Sequence, residues 1–311
     1  MLELGVRSFA SPSAIAAATR LGAYLRRHKI RLVHAFDVPA DLFAVPVARL
    51  YRTPVVLSSQ RAHRDLTPGA TRHLLRLTDR IVDAIVVNSQ AVARELRGQE
   101  GVPASMIRVA YNGLDTSIFR PEGSRASLPW TPGEEPVIGV ICALRAEKGL
   151  HLLLDAFAQL RRGKLLIVGS GPALEGLQTR ARSLGLGAEC HFQPAQANVA
   201  EWLRAIDIFV LPSLSEALSN SLLEAMGCGC CPIASDTGGN PELVLDGETG
   251  LLFPSGDSHA LAERLRTVLD YPDLRRRMAD ASRQRAHREF ARETAAARMG
   301  EIYREFLEKP R

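Results

Sequence analysis

The sequence contains no apolar run approaching the roughly 20 residues that cross a bilayer; stretches such as residues 136–144 stop at strand length. Aromatic residues make up only 5% of the 311 and do not interleave with the basic ones as a stacking surface requires, so nucleic acid is not an expected partner. Cysteines number five, at 142, 190, 228, 230 and 231. Three of them crowd into residues 227–232 with no histidine or second Cys-x-x-Cys at ligand spacing, so no metal site is expected. Small buried thiols where a helix turns into a strand, in a reducing compartment, are the reading. No Gly-x-x-x-x-Gly-Lys-Ser/Thr occurs, which disfavours a P-loop ATPase. The start, Met1-Leu-Glu-Leu-Gly-Val-Arg7, has neither the basic nor the continuous apolar region of a secretory leader, and a cytoplasmic location is the expectation.

What is present is a chain long enough for two domains with a sizeable core, 46% hydrophobic. Charge is uneven. Up to Pro121 there are 17 basic against 9 acidic residues, a surplus of +8; afterwards 22 against 25 give −3. A basic half points to an anionic partner, either a membrane surface or a lipid-phosphate acceptor, or is simply an arginine-rich solvated face. Residues 71–82 repeat Arg72, Arg76 and Arg80 every four positions opposite Leu74, Leu75 and Ile81. They are the segment suited to peripheral membrane contact, with a core-packed helix as the other reading.

Short β-branched runs alternate with helical stretches throughout, the pattern of βα units and a parallel sheet, so the class is α/β. Strands are expected at 31–35, 54–58, 84–88 and 107–110, with helices at 14–27, 71–82 and 90–96. Residues 121–136 hold four prolines and two glycines and read as a linker. Beyond it, strands are expected at 137–142, 165–168, 189–192, 208–211, 232–234 and 250–253. Helices begin near 149, 173, 198 and 219, and the helical tail breaks at 271–272 and 290–291. The expected division is residues 1–121, linker 122–135, second domain 136–290, and a final helix 291–311 returning toward the first domain.

Residues 213–227 follow an apolar strand and run into a helix capped by Ser219 or Asn220. Glu216 lies in the preceding loop and Glu224 about one and a half turns into the helix. Strand carboxyl ends are where open α/β sheets bind ligands, and the amides of Leu218, Ser219, Asn220 and Ser221 offer donors for a phosphate. Carboxylates accept hydrogen bonds from vicinal hydroxyls, so glutamates beside an anion-binding helix start suit a phosphate-linked sugar; a solvated helix face is the other reading of Glu224. A second loop, residues 144–149, carries Lys148 just before a glycine. A third element, residues 167–172, is a glycine turn that lets backbone approach a ligand; Leu174 stands where the dinucleotide fingerprint needs a glycine, which disfavours hydride transfer.

Together these elements resemble the retaining glycosyltransferases of family 4, which have the GT-B fold of two Rossmann-like doubly wound domains facing a cleft. The resemblance spans residues 31–307. It rests on Glu216 and Glu224 as an Glu-x7-Glu motif, on the loop 144–149, on residues 235–242 and 246–253, and on Val33-His34, Asn88-Ser89 and Tyr111-Asn-Gly-Leu-Asp115. It implies a nucleotide-sugar donor, from UDP or GDP, with sugar passed to a hydroxyl of a glycan or lipid-linked acceptor. Glu224 would bind the ribose, Lys148 and the 218–221 amides the diphosphate, and Glu216 the donor sugar as the catalytic group. No cofactor or metal is implied; no Asp-x-Asp occurs, in keeping with phosphate neutralised by protein groups.

The chain departs from the family in places. Ala143 replaces the usual arginine, with Arg145 as a substitute donor ligand, and the usual histidine after the second strand has only Gln60 and His63 nearby. These two, with Asn112, are the acceptor-side candidates. The family's first βα unit has no counterpart, so the first domain reads as incomplete, with exposed sheet edge. A catalytically impaired nucleotide-sugar-binding or interaction protein is therefore the alternative function, and a nucleotide-sugar epimerase a third.

Overall fold

The computed structural model describes residue 4, residues 11–131 and residues 135–308. The readings of the chain's start at residues 1–7 (Leu4 apart), of linker residues 132–134 and of tail residues 309–311 lie outside the described residues. The chain divides into two units, Met1–Tyr111 with Ala296–Arg311, and Asn112–Ala295.

Element order is α1 (Pro12–Arg27), β1 (Leu32–Phe36), α2 (Val38–Leu50), β2 (Val55–Gln60), α3 (Gly69–Asp79), β3 (Ala84–Val87), α4 (Gln90–Gly98) and β4 (Ile107–Val109). Then come β5 (Val137–Ile141), α5 (Leu150–Leu160), β6 (Lys164–Val168), α6 (Leu174–Ser183), β7 (Cys190–Gln193), α7 (Val199–Leu203) and β8 (Ile208–Leu211). The chain continues through α8 (Asn220–Gly227), β9 (Cys231–Ser235), α9 (Asn240–Leu243), β10 (Leu251–Phe253), α10 (Ser258–Asp270), α11 (Pro272–Glu289) and α12 (Arg292–Leu307).

In the first unit the four strands are parallel in the order β1-β2-β3-β4, with Leu32 opposite Val55 and Leu57 opposite Ala84. Right-handed crossovers that step in one direction put α2, α3 and α4 on a single face. A parallel sheet must be covered on both faces. The second face, formed by Val55, Leu57, Ala84 and Val86, is covered by α12 through Ile302, with Met299, Tyr303 and Phe306 packed around it. α2 escaped the sequence reading because of its two prolines. Pro39 occupies the first turn, where no amide partner is needed; Pro46 lies inside the helix, held there by contacts with α1, β1 and β2 that outweigh one missing hydrogen bond.

The second unit has six parallel strands in the order β10-β9-β8-β5-β6-β7. The chain steps outward from β5 to β7, then returns to the other side of β5, where Ile138 and Gly139 sit opposite Ile208 and Phe209. Residues 165–168 of β6 and all of β8 are apolar and buried, and the face formed by Leu165, Ile167, Ile208 and Val210 packs on Leu153 and Phe157 of α5 and on Leu261 and Leu265 of α10.

The boundary differs from the expected one. It falls at Tyr111, ten residues before Pro121, because the irregular segment after Tyr111 is anchored in the second unit. Leu114 is buried and exchanges backbone hydrogen bonds with Phe290 and Arg292. The Arg204 guanidinium donates to the carbonyls of Ile118, Arg120 and Ser124. Proline content marks absence of regular structure, which is not the same as independence. α12 is likewise divided, its residues from Ala296 onward belonging to the first unit.

Candidate functional site

The strand order of the second unit reverses between β5 and β8, and the loops leaving such a pair diverge into a crevice. Lys148 follows β5 and Glu216 follows β8. Gly149 brings the two loops together: its φ is +61°, and a Cβ there would lie 2.1 Å from the Pro212 carbonyl oxygen. The Leu214 amide donates to the Glu147 carbonyl at 2.8 Å. As a result Lys148 Nζ lies 2.6 Å from Glu216 Oε2, the lysine side chain 20% and the carboxylate 11% exposed. Ser213 Oγ donates to the same oxygen at 3.3 Å.

Behind this loop sits a buried support to which the sequence reading gave no role. Ser235 Oγ donates to the Ser213 carbonyl at 2.6 Å, and Asn240 Nδ2 to the Ser235 carbonyl at 3.0 Å. The Gly239 amide donates to the Glu216 carbonyl at 3.2 Å. Ser235 and Asn240 are fully buried, and the signal in the sequence is the polarity of Ser235 at the end of the otherwise apolar β9.

Ser219 caps α8, its Oγ accepting from the Leu222 amide at 3.2 Å. The first-turn amides of Asn220 and Ser221 have no intrahelical acceptor, as at any helix start, and the helix dipole adds partial positive charge there. The side chain of Leu218 is buried, so only its backbone can serve a ligand. Glu224 lies further along α8, mostly buried, and burial pushes its carboxyl up to about 7.

Other candidates fall elsewhere. Arg145 is exposed, and its ion pair among the described residues is a 3.9 Å contact with Glu147; nothing holds it against Lys148. The glycine turn after β6 makes its close approach to the Lys148 loop itself. A Cβ at Gly169 would lie 2.0 Å from the Cys142 oxygen, and one at Gly171 2.4 Å from that of Leu144. Asn112 belongs to the second unit, where its Nδ2 donates to Asn220 Oδ1 at 2.6 Å; its observed contact is thus with the helix start rather than with an acceptor surface.

Gln60 and His63 belong to the first unit. Gln60 is buried and accepts from Arg64 Nε at 3.3 Å, and His63 Nδ1 contacts Glu95 Oε2. Both border a buried network absent from the sequence reading. Arg64, 1% exposed, donates to both oxygens of Asp79 at 2.6 and 2.9 Å, and its amide donates to Glu95. On α3, Leu75 is buried while Leu74 and Leu77 are exposed, as is Ile81 just after the helix. Arg72 and Arg76 of that stripe are both held by Glu100, so two of its three arginines are engaged within the protein. Cys228, Cys230 and Cys231 lie buried between α8 and β9; burial pushes the Cys228 and Cys231 thiols up to about 12. No helix among the described residues is long and apolar enough to cross a membrane.

Comparison with known proteins agrees with this architecture. Residues 129–285 match the family described as Glycosyl transferases group 1, and residues 6–118 match Glycosyltransferase Family 4. D-inositol 3-phosphate glycosyltransferase of Streptomyces scabiei is 30% identical over 291 residues, covering 87% of this chain and 65% of that protein. Sulfoquinovosyl transferase SQD2 of Arabidopsis thaliana is 27% identical over 306 residues, covering 90% and 59%. The chain thus spans less than two thirds of these two relatives. Among solved structures, sucrose-phosphate synthase from Thermosynechococcus elongatus superposes with a TM-score of 0.85 at 24% identity, covering 99% of this chain and 82% of that one. Anabaena HepE, solved with UDP and glucose, gives 0.82 at 22% identity, covering 98% and 84%. The two parallel-sheet units are Rossmann-like and the fold is GT-B, and the chain belongs to the group 1 glycosyl transferases.

Proposed function

We propose that this chain binds a nucleotide sugar in its second unit and transfers the sugar, with retention, to a hydroxyl of a glycan or lipid-linked acceptor. The observation that carries the reading is the Lys148–Glu216 pair at the β5/β8 reversal, beside the open amides of α8. A diphosphate entering there meets the helix start and draws Lys148 from the carboxylate to the phosphate oxygens. Glu216 is then free to accept hydrogen bonds from the sugar and to stabilise positive charge at the anomeric carbon. Glu224, eight residues on, takes the ribose hydroxyls. In the reaction the bond from the anomeric carbon to the phosphate oxygen breaks. The acceptor oxygen bonds to that carbon on the same face, and its proton passes to the departing phosphate. The nucleotide sugar is the substrate and no cofactor is invoked.

HepE, of the same fold, has been solved with UDP-glucose, which supports a nucleoside diphosphate donor. Acceptor recognition falls to the first unit, with Gln60 and His63 as its candidate residues. Its basic surplus supports an acceptor or surface of negative charge at the membrane periphery, on the cytoplasmic side. A second reading is favoured by one observation. Ala143 carries no charge and Arg145 is turned to Glu147, so leaving-group neutralisation rests on Lys148 and the α8 amides. A protein that binds the donor without efficient transfer fits this. Calorimetry with UDP- and GDP-sugars, followed by hydrolysis and transfer assays, separates the two: binding with turnover supports transfer, and binding alone supports the second reading. No binding by any nucleotide sugar sinks both.

A further inference from the structure

The first unit contains a cavity of about 300 Å³ at the amino ends of β1 and β2, the opposite end of the sheet from where ligands of α/β sheets ordinarily bind. Arg26, Lys29, Arg31 and Arg52 line it, with no acidic residue among the lining. None of the four is ion-paired to a carboxylate among the described residues. Arg31 donates to the Leu307 carbonyl, and Arg26 lies over the Tyr51 ring at 4.9 Å.

The backbone shows that two of these cations are placed rather than gathered by chance. Lys29 and Arg52 each follow the end of a helix, α1 and α2, in left-handed conformation with φ of 48° and 58°. In both cases the next residue's amide closes the turn, Ile30 to Leu25 and Thr53 to Ala48. That position ordinarily takes glycine, and a side chain there strains the backbone. The chain accepts this strain twice and places a cation each time. The two helix ends carry roughly half a negative charge apiece, which four full positive charges exceed.

Four cations and an aromatic wall from Tyr51 match one ligand chemistry, a phosphate group carried on a larger molecule. We infer that this cavity is a second, phosphate-binding site, separate from the Lys148–Glu216 loops, in which Arg26, Lys29, Arg31 and Arg52 hold the phosphate. The inference does not depend on the proposed transfer reaction.

The test is calorimetric titration with pyrophosphate. The parent is Lys148→Ala protein, so that the lysine of the second unit does not contribute, compared with the same protein also carrying Lys29→Gly and Arg52→Gly. Glycine removes charge and backbone cost together, so the melting temperature should hold or rise. Saturable binding in the parent, weakened roughly tenfold or more by the two glycines, is the expected result. Equal affinity in both proteins, or no saturable binding in the parent, overturns the inference. Sedimentation with phosphatidylcholine vesicles containing phosphatidic acid then identifies the source. Binding to vesicles that the glycine pair abolishes assigns the phosphate to a lipid headgroup, and pyrophosphate binding without sedimentation assigns it to a soluble ligand.

Discussion

Lys148 and Glu216 form an ion pair of 2.6 Å, so in the proposed reaction the cation that would serve a diphosphate is held by the carboxylate that would serve a sugar. Replacing Glu216 with glutamine keeps the shape and frees the lysine. Binding of UDP or GDP alone should stay equal or tighten, while turnover falls by about a hundredfold or more. Lys148→Ala should lower both. Glu216→Gln protein that binds the nucleotide more weakly than wild type would refute the exchange of partners.

Asn112 is expected to matter to the donor. Its amide orients Asn220 at the first position of α8. Asn112→Ala should raise KM for the nucleotide sugar roughly three- to tenfold, the value of one hydrogen bond, and leave acceptor KM unchanged. Asn112→Asp, which cannot donate, should do the same. A change confined to acceptor KM would return Asn112 to the acceptor side.

Donor affinity should depend on pH through Glu224. Burial pushes this carboxyl up to about 7, whereas in the proposed donor site the ribose hydroxyls are bound by the ionised form. Affinity therefore rises with pH and levels off above about 7, with a limiting slope of tenfold per unit below it. Glu224→Gln should flatten the profile. Titration between pH 5 and 8.5 reads this directly.

Asp41 predicts a stability profile of unusual sign. It is buried, its Oδ1 has no partner, and burial together with Asp79 raises its pKa from 3.8 to about 8. The folded state then keeps a proton that the unfolded state releases, so stability falls as pH rises from about 4 to about 8 and is level beyond. Asp41→Asn should raise the melting temperature at pH 8 and have little effect at pH 4. A gain of the same size at both pH values would refute the assignment.

Arg64 is expected to be the most sensitive position of the first unit. Arg64→Met removes both bonds to Asp79 and leaves a buried carboxylate without its cation, a loss of about 3–5 kcal/mol in denaturant unfolding. The double variant Arg64→Met with Asp79→Leu should recover much of it; no recovery would mean the pair is not the cause.

Strands were legible because a sheet covered on both faces requires continuous apolar runs, which residues 165–168 and Ile208–Leu211 supply. Lys148 and Glu216 were legible as motif residues. Their contact was not, because it depends on β8 lying beside β5 and on Gly149 against Pro212. Helix α2 was hidden by Pro46, whose local cost tertiary packing overrides. Arg64 read as part of a polar loop, since no periodicity marks a single buried cation. Its network becomes visible only when Asp79 on α3 and Glu95 on α4 are placed around it.

Ile302 of α12 fills the face of the sheet formed by Val55 and Leu57, some two hundred and fifty residues earlier in the chain. On the ribosome, the strands of the first unit emerge long before the helix that covers them. Their apolar face must wait through synthesis of the whole second unit, which can complete its own core meanwhile. Such a chain finishes folding at the beginning last, and in that interval the uncovered strands are open to chaperones or to one another.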